Sequence, residues 1–431
     1  MSTAAPLPAS ELVLIVSDIR ACTLDLVSDL SEAELLGPRR AMVNPPLWEV
    51  GHVGWFQERW VLRHWSKQKP FLEHGDTLYN SAAVDHDIRW DLPLPDRRAT
   101  FDYIEQIRER VTESLNEREP GPEGTYFVLL SVLHECMHAE AFTYTRQTHS
   151  YPYPRFRDLP ERGPIAAPER VFGDVHIPGG SFELGAGRDL PFVFDNEKWA
   201  HRVEVKPFSM ARTPVTQEEF VAFVEEDGYR RRDLWSPEGW AWKEKAGANH
   251  PVYWKKDKAG TWLRRHFDEW LPVEPRLPVI HVNWFEADAF CRWAGRRLPT
   301  EREWEFAASD EPDHRKREYP WGGEAPSPER ANLNWASSGC ISVDALPDGD
   351  SAFGCRQMIG NVWEWTSTDF APYPEFTPDP YKEYSQPWFY DHKVLRGGCW
   401  TTRSLLIRNT WRNFYQPHRR DVFGGFRTCA M

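Results

Sequence analysis

Twenty residues, YPYPRFRDLPERGPIAAPER at 151–170, carry five prolines and no sustained periodicity, and they divide the chain into two different textures. Proline fixes φ and removes a backbone donor, so a run this dense cannot sit inside a helix or a central strand. It reads as a Pro-rich linker between two parts that fold separately. Before it, apolar residues recur at helical spacing: Ile104, Ile107, Val111 and Leu115 form one stripe with Glu and Arg between them. Three more stretches read as helices: one opening at Ser10-Glu11, one over 46–65 with Pro45 and Pro46 at its start, and one over 123–148. Four such patterns joined by polar loops predict a four-helix bundle over residues 1–150. After residue 170, short β-type runs (VFGDVHIPGGSFELG, HRVEVKPFSMA, HKVLRGGCW) alternate with Gly, Pro and Asn turns, and helical patterns intrude near 216–226 and 284–294. The expected fold class is therefore α+β, with a loop-rich second domain over 171–431. Most of the excess of Trp and Pro also lies there, as in a chain whose irregular loops are pinned by aromatic anchors.

Three histidines stand out in the helical part. His134 and His138, in HECMH, lie four residues apart and project from one helix face about a turn apart. His52, in LWEVGHVGWF, sits on a second helix with Trp48, Trp55 and Phe56 around it. Helices of a bundle commonly build metal sites from inward side chains on facing helices. A three-imidazole site without a protein carboxylate leaves positions free for substrate and dioxygen, and it also suits zinc, nickel or copper. Glu135 and Glu140 point off the ligand face and are expected to be solvated or to act as outer partners of the ligands.

The formal net charge is −13 and no polybasic run occurs, which argues against nucleic acid or an anionic membrane as partner. No apolar stretch approaches the roughly 20 residues that span a bilayer. The first residues lack a basic region followed by an apolar core, so a cytoplasmic location is expected. The seven cysteines show no CxxC spacing, which favours free thiols in a reducing compartment. Nothing in the sequence indicates an oligomeric state.

The phrases IPGGSFELG (177–185), RTPVTQEEF (212–220), RRLPTEREWEFAA (296–308), GNVWEWTSTDF (360–370), VLRGGCW (394–400) and GGFR (424–427) occur in one order across the second part. Together they resemble the formylglycine-generating-enzyme-like (sulfatase-modifying-factor) domain, a relative of the C-type lectin fold. The first part resembles DinB-like four-helix domains. Both on one chain, with FDNEKWAH at 194–201, resemble the nonheme-iron sulfoxide synthases of ergothioneine biosynthesis. That resemblance implies an oxidoreductase using Fe(2+) and O2 to join a sulfur donor to the imidazole C2 of hercynine. It implies His52, His134 and His138 as the iron ligands. Of the pair in PYKEYSQPWF, Tyr381 is implied as proton donor to reduced dioxygen, with Tyr384 beside it. Asn413 and Arg419 fall on substrate-contact positions. Formylglycine-generating enzymes bind copper through a closely spaced cysteine pair, and Cys399 and Cys429 are not such a pair.

Two departures from the family pattern bear on the donor. Met137 stands where the family usually has Gln, and the family's Asn-Trp-Asp triplet reads Asn413-Phe414-Tyr415. A carboxylate there would pair with the ammonium group of an amino-acid donor, and a phenol cannot supply that charge. Two rings offer faces for a sugar instead. The chain is thus expected to be most like the selenoneine-synthase branch, forming a C–Se bond from a selenosugar (or a C–S bond from a thiosugar). The alternative is an ergothioneine sulfoxide synthase using γ-glutamylcysteine or cysteine. Arg419 and Arg420, with Arg412, are expected either to pair with neighbours such as Asp421 or to clamp a substrate carboxylate or sugar hydroxyl. Arg89, in HDIRW, is a weaker candidate of the same kind. Asn413 and Phe414 are candidates for the wall against the trimethylammonium of hercynine, and the site is expected between the two domains.

Overall fold

Four long helices occupy the first part: α1 Ala9–Val27, α2 Pro46–Gln57, α3 Arg97–Glu117 and α4 Gly121–His149. The computed structural model describes residues 5–157, 165, 169–309 and 316–431. The chain divides into two units, residues 1–158 with 188–193, and residues 159–187 with 194–431. The predicted stripe Ile104, Ile107, Val111 and Leu115 is buried along α3. The stretch read as one helix over 46–65 changes its hydrogen-bond register halfway, and Glu58–Trp65 is π-helical. Glu58 is buried there and accepts hydrogen bonds from the Tyr103 hydroxyl (2.7 Å) and the Phe71 amide (3.1 Å).

One buried guanidinium ties the four helices together. Arg20 of α1 donates to both carboxylate oxygens of Glu135 on α4 (2.8 and 3.0 Å), to Gln57 Oε1 at the end of α2 (3.2 Å) and to the Ile104 carbonyl of α3. Thr23 adds a further donor to Glu135 at 2.8 Å. Glu135 points away from the ligand face into the core, so of the two expectations, solvated or an outer partner of the ligands, the solvated one is corrected for Glu135 and also for the buried Glu140.

The start of the Pro-rich segment packs on the bundle. Arg146 donates to the Pro152 carbonyl (2.9 Å), and Arg157 pairs with Asp25 (2.6 Å). The rest of the expected linker, residues 158–164 and 166–168, lies outside the described residues. The short return of Arg188–Val193 to the first unit is marked by Phe192, whose ring stacks on Tyr126 of α4 at 5.1 Å.

The second unit is built from short strands. Strands β1 Asp174–Ile177, β4 Phe208–Ala211, β8 Arg296–Arg297 and β13 Cys429–Ala430 form a sheet in the order β1-β4-β13-β8. A second sheet runs β11-β10-β9-β12, from β9 Trp363–Asp369, β10 Lys393–Arg396, β11 Asn413–Tyr415 and β12 Gly424–Gly425. β2 Gly180–Leu184 and β3 His201–Val205 make a hairpin. The helices expected near 216–226 and 284–294 are α5 Gln217–Glu225 and α7 Trp284–Trp293, each opened by a capping box, from Thr216 and Asn283. Helices α6 Pro237–Ala246 and α8 Glu301–Ser309, and the antiparallel sheet β5 Trp254–Lys256, β6 Trp262–His266 and β7 Glu269–Pro272, were not anticipated.

The tryptophans of the recognised phrases are anchors, as the sequence suggests. Trp304, Trp363, Trp365 and Trp400 are fully buried, and Trp304 donates to Glu364 at 2.7 Å. Glu364 also receives Arg427 (both contacts 2.7 Å), and Arg396 and Arg412 share Glu301. These ion pairs satisfy charges that burial would otherwise make costly.

Candidate metal centre

Two glycines of WEVGHVGWF let α2 pack closely enough to aim His52. A Cβ at Gly51 would lie 2.3 Å from the Tyr79 ring, and one at Gly54 would lie 2.6 Å from Ile104. With Tyr79 drawn in, its carbonyl receives Nδ1–H of His52 at 2.7 Å. A carbonyl can only accept, so the proton sits on Nδ1 and the Nε2 lone pair faces inward. On α4 the same logic holds for His138, whose Nδ1 donates to the buried Glu49 carboxylate at 2.5 Å. His52 Nε2 lies 3.3 Å from His134 Nε2, and one ring nitrogen of each of the three histidines lies within 4.8 Å of the others. Among the described residues no Asp, Glu or Cys joins this cluster.

Aromatic faces fix the rings. Trp48 lies parallel to His52 at 5.0 Å and Phe56 parallel to His134 at 3.6 Å. Trp55, also against His52, is held by a 2.7 Å hydrogen bond to Asp76. Burial is the main reason the pKa values of His52 and His134 fall well below the usual imidazole range; the charge of His138 pushes both the same way, and for His52 the Tyr79 carbonyl opposes. Burial thus favours the neutral form of His52 and His134, the form that offers a lone pair to a cation. Metal–nitrogen bonds of about 2.0–2.1 Å at about 90–109° place neighbouring nitrogens roughly 2.8–3.4 Å apart, which the 3.3 Å separation of His52 and His134 meets. The residues therefore fit a divalent transition metal held on one side only.

Arg89 supports this layer. Its guanidinium lies 4.0 Å from the Trp48 ring centroid and donates to Asn44 (2.7 Å) and the Val84 carbonyl (3.0 Å). Desolvation lowers its pKa to about 10 against the pull of Glu49 and Asp85. Met137 is half-buried on α4 next to His138. Sequence reasoning missed Glu49 and Tyr79. Glu49 stands three residues before His52, a helical neighbour position that was open to notice, whereas nothing in the sequence singles out a carbonyl at Tyr79.

The remaining candidates belong to the second unit. Tyr381 and Tyr384 are half-buried with ring centroids 6.3 Å apart, and burial is the main cause that raises both phenols well above their ordinary pKa. Tyr384 meets the edge of Phe414 at 5.8 Å, and Phe414 stacks on Phe370 at 3.9 Å. The structure thus brings the tyrosine pair and β11 together. Asn413 turns its Oδ1 to the Phe414 amide (2.8 Å). Arg419 lies over the Tyr415 ring (5.1 Å) and forms a two-pronged pair with Asp421 (2.7 and 2.6 Å); Arg420 approaches Glu286 at 3.7 Å. The pairing of Arg419 with Asp421 is the first of the two expectations for this cluster.

Residues 16–141 match the DinB superfamily, and residues 162–431 match the sulfatase-modifying factor enzyme 1-like domain. A histidine-bearing helical domain joined to such a domain defines a two-domain class of protein. The second domain is 31% identical to a formylglycine-generating enzyme of Streptomyces coelicolor, over 61% of this chain and 87% of that protein. The whole chain is 38% identical to a hercynine oxygenase of Mycolicibacterium thermoresistibile, over 97% of its own length and 94% of that protein's. It is 36% identical to a hercynine oxygenase of Mycolicibacterium smegmatis over 95% and 96% of the two lengths. The chain belongs to the hercynine oxygenase family.

Proposed function

We propose that this protein is an O2-dependent nonheme Fe(2+) enzyme that joins a chalcogen donor to the imidazole C2 of hercynine. With a thiol donor RSH the balance is hercynine C2–H plus RSH plus O2 giving the C2–S(=O)–R sulfoxide and water. The C–H and S–H bonds break, a C–S and an S=O bond form, and dioxygen takes up four electrons. The observation that carries the reading is the set of three inward imidazole nitrogens on α2 and α4, in a chain so similar to hercynine oxygenases over its full length. The thiol is of the γ-glutamylcysteine or cysteine type, and the product is an ergothioneine-type sulfoxide.

His52, His134 and His138 would hold the iron, which would supply one-electron chemistry toward dioxygen and a lowered pKa for a donor thiol. Glu49 and the Tyr79 carbonyl keep two of these imidazoles in the tautomer that offers Nε2. Tyr381, whose phenol stays protonated well above neutral pH, donates a proton as dioxygen is reduced. Phe414 offers a ring to the trimethylammonium group, which has no hydrogen to donate and binds through the ring quadrupole.

One observation favours a second reading in which the donor is a selenosugar or thiosugar. The segment Asn413-Phe414-Tyr415 presents an amide, a ring and a phenol, and no carboxylate for a donor ammonium. Met137 beside His138 adds a soft, polarizable contact for selenium. Anaerobic loading with Fe(2+), followed by O2 uptake and product mass with hercynine plus each of cysteine, γ-glutamylcysteine, a thiosugar and a selenosugar, tests both. Absence of O2 uptake with every donor would refute the oxidative reading, and turnover confined to one donor class decides between the two.

A further inference from the structure

Three consecutive residues of FDNEKWAH form a single 3-10 turn, Asp195–Glu197, and all three are buried. A buried Asp and a buried Glu in one turn call for an explanation, because desolvating carboxylates is costly unless they are well partnered; the Asn196 side-chain amide has no hydrogen-bond partner among the described residues, and only its backbone carbonyl is engaged. Their contacts run in two directions. Asp195 accepts from the Ser385 hydroxyl and from the Asp379 amide (3.4 Å), while the adjacent Lys198 ammonium grips both carboxylate oxygens of Asp379 (2.7 and 2.6 Å). Positions 379 and 385 bracket Tyr381 and Tyr384. Phe194, just before the turn, stacks on the Tyr384 ring at 4.5 Å. On the other side Glu197 accepts from Arg408 (3.0 Å) and Thr410 (2.8 Å), and the Asn196 carbonyl accepts from Arg412 (2.7 Å). Those residues lead directly into β11.

We propose that the buried turn Asp195–Asn196–Glu197 is the positioning element that sets the tyrosine loop against the Asn413–Tyr415 strand, with Asp195 as the positioning residue for Tyr381 and Tyr384. The proposal rests on the tyrosine reading above for its catalytic consequence, and on the contacts alone for its structural part. The loop it fastens has little regular structure of its own, only two 3-10 turns at Lys382–Tyr384 and Gln386–Trp388. A segment without a ladder of backbone hydrogen bonds keeps one conformation only where side chains fix it. Ser385 is completely buried on Asp195, so the loop is pinned from beneath. Burial lifts the Asp195 carboxyl to about 6, so the fold retains a carboxylate where its charge is disfavoured.

The test uses the full-length, iron-loaded protein. In Asp195→Ala, amide hydrogen exchange over residues 379–392 should rise tenfold or more while α4 and β9 keep their protection, and Ser385→Ala should give a smaller rise in the same window. Turnover of hercynine should fall at least tenfold in kcat with KM changed less than threefold. Asp195→Asn, whose amide oxygen can still accept from Ser385, should recover part of both effects. Unchanged exchange over 379–392, or protection lost evenly across the second unit, would overturn the proposal. If Asp195→Ala does not fold, Ser385→Ala decides by the same window. Tyr381→Phe separates the two readings: full turnover in that variant refutes the tyrosine as proton donor, and the exchange data still judge the clasp.

Discussion

Glu49 of α2 accepts a 2.5 Å hydrogen bond from Nδ1 of His138 on α4, so the helix that carries one candidate ligand orients another across the bundle. Such carboxylate–histidine contacts fix the ring and raise the basicity of the ligand nitrogen, and their loss commonly weakens metal binding about 10–100-fold. Glu49→Ala is expected to lower Fe(2+) affinity by that amount, with Glu49→Gln intermediate because its amide can still accept. Equilibrium competition with a chromophoric chelator measures this without turnover. Equal affinity in all three proteins would show that Glu49 does not orient the site.

Gly51→Ala should destabilise the first unit despite the higher helix propensity of alanine. Exposed, the change would gain about 1 kcal/mol. Here the new methyl meets the Tyr79 ring at 2.3 Å, and overpacking of this kind costs about 1–3 kcal/mol. Tyr79 would also carry its carbonyl away from His52. A lower Tm together with weaker metal binding is the expected pair of results.

Arg20→Met leaves the buried Glu135 carboxylate without its two-pronged partner. Removing one member of a buried pair costs about 3–5 kcal/mol. Adding Glu135→Leu should recover most of the loss, since both charges are then gone. Denaturant midpoints of both single variants, the double variant and the wild type, compared in a double-mutant cycle, check the sign.

Stability should fall with acid in a way traceable to His281. This side chain is buried against Tyr253 and Phe423, and desolvation lowers its pKa to about 3 against a nearby Asp421 that pulls the other way. Between pH 6.5 and 3 the unfolded chain binds a proton that the folded chain refuses. The contribution is therefore complete above pH 6.5 and is lost as pH falls through that window, at about 1.4 kcal/mol per unit. His281→Asn, a residue that tolerates the positive φ of 60° at this position, should flatten the pH dependence of Tm over that range. An unchanged acid limb would assign the effect to other groups.

Tyr415→Asp should shift donor preference toward amino-acid thiols. A charge-assisted hydrogen bond to the donor ammonium contributes about 1.5–3 kcal/mol, or tenfold and more in kcat/KM. The ratio of kcat/KM for cysteine over a sugar donor measures it, and an unaltered ratio would remove the 413–415 segment from donor selection.

The histidine pair and the bundle were legible because helical periodicity is local: HECMH puts two imidazoles on one face whatever surrounds it. The direction in which Glu135 points was legible for the same reason, but not what it meets, since Arg20 lies 115 residues earlier. Helix α6 escaped notice because PEGWAWKEKA spaces its tryptophans two apart, as a strand would, although Ser236 and Pro237 mark its start. The 254–272 sheet carries lysines and arginines on partly exposed strands, so it lacks the alternation that reveals a strand. FDNEKWAH was visible as a motif, while its partners at 379–385 and 408–412 lie about 180–215 residues away.

Periodicity and ordered phrases determined the two kinds of architecture and the pairing of His134 with His138 on one helix face, because each is written locally in the chain; His52 stands on another helix, and only the fold brings it to them. The tertiary structure alone decided which nitrogen each of His52 and His138 presents, whether the acidic neighbours meet water or core, and how one buried turn holds two distant segments together. Those choices depend on hydrogen-bond partners remote in the chain, and a proton or a rotamer is fixed only when the partner arrives.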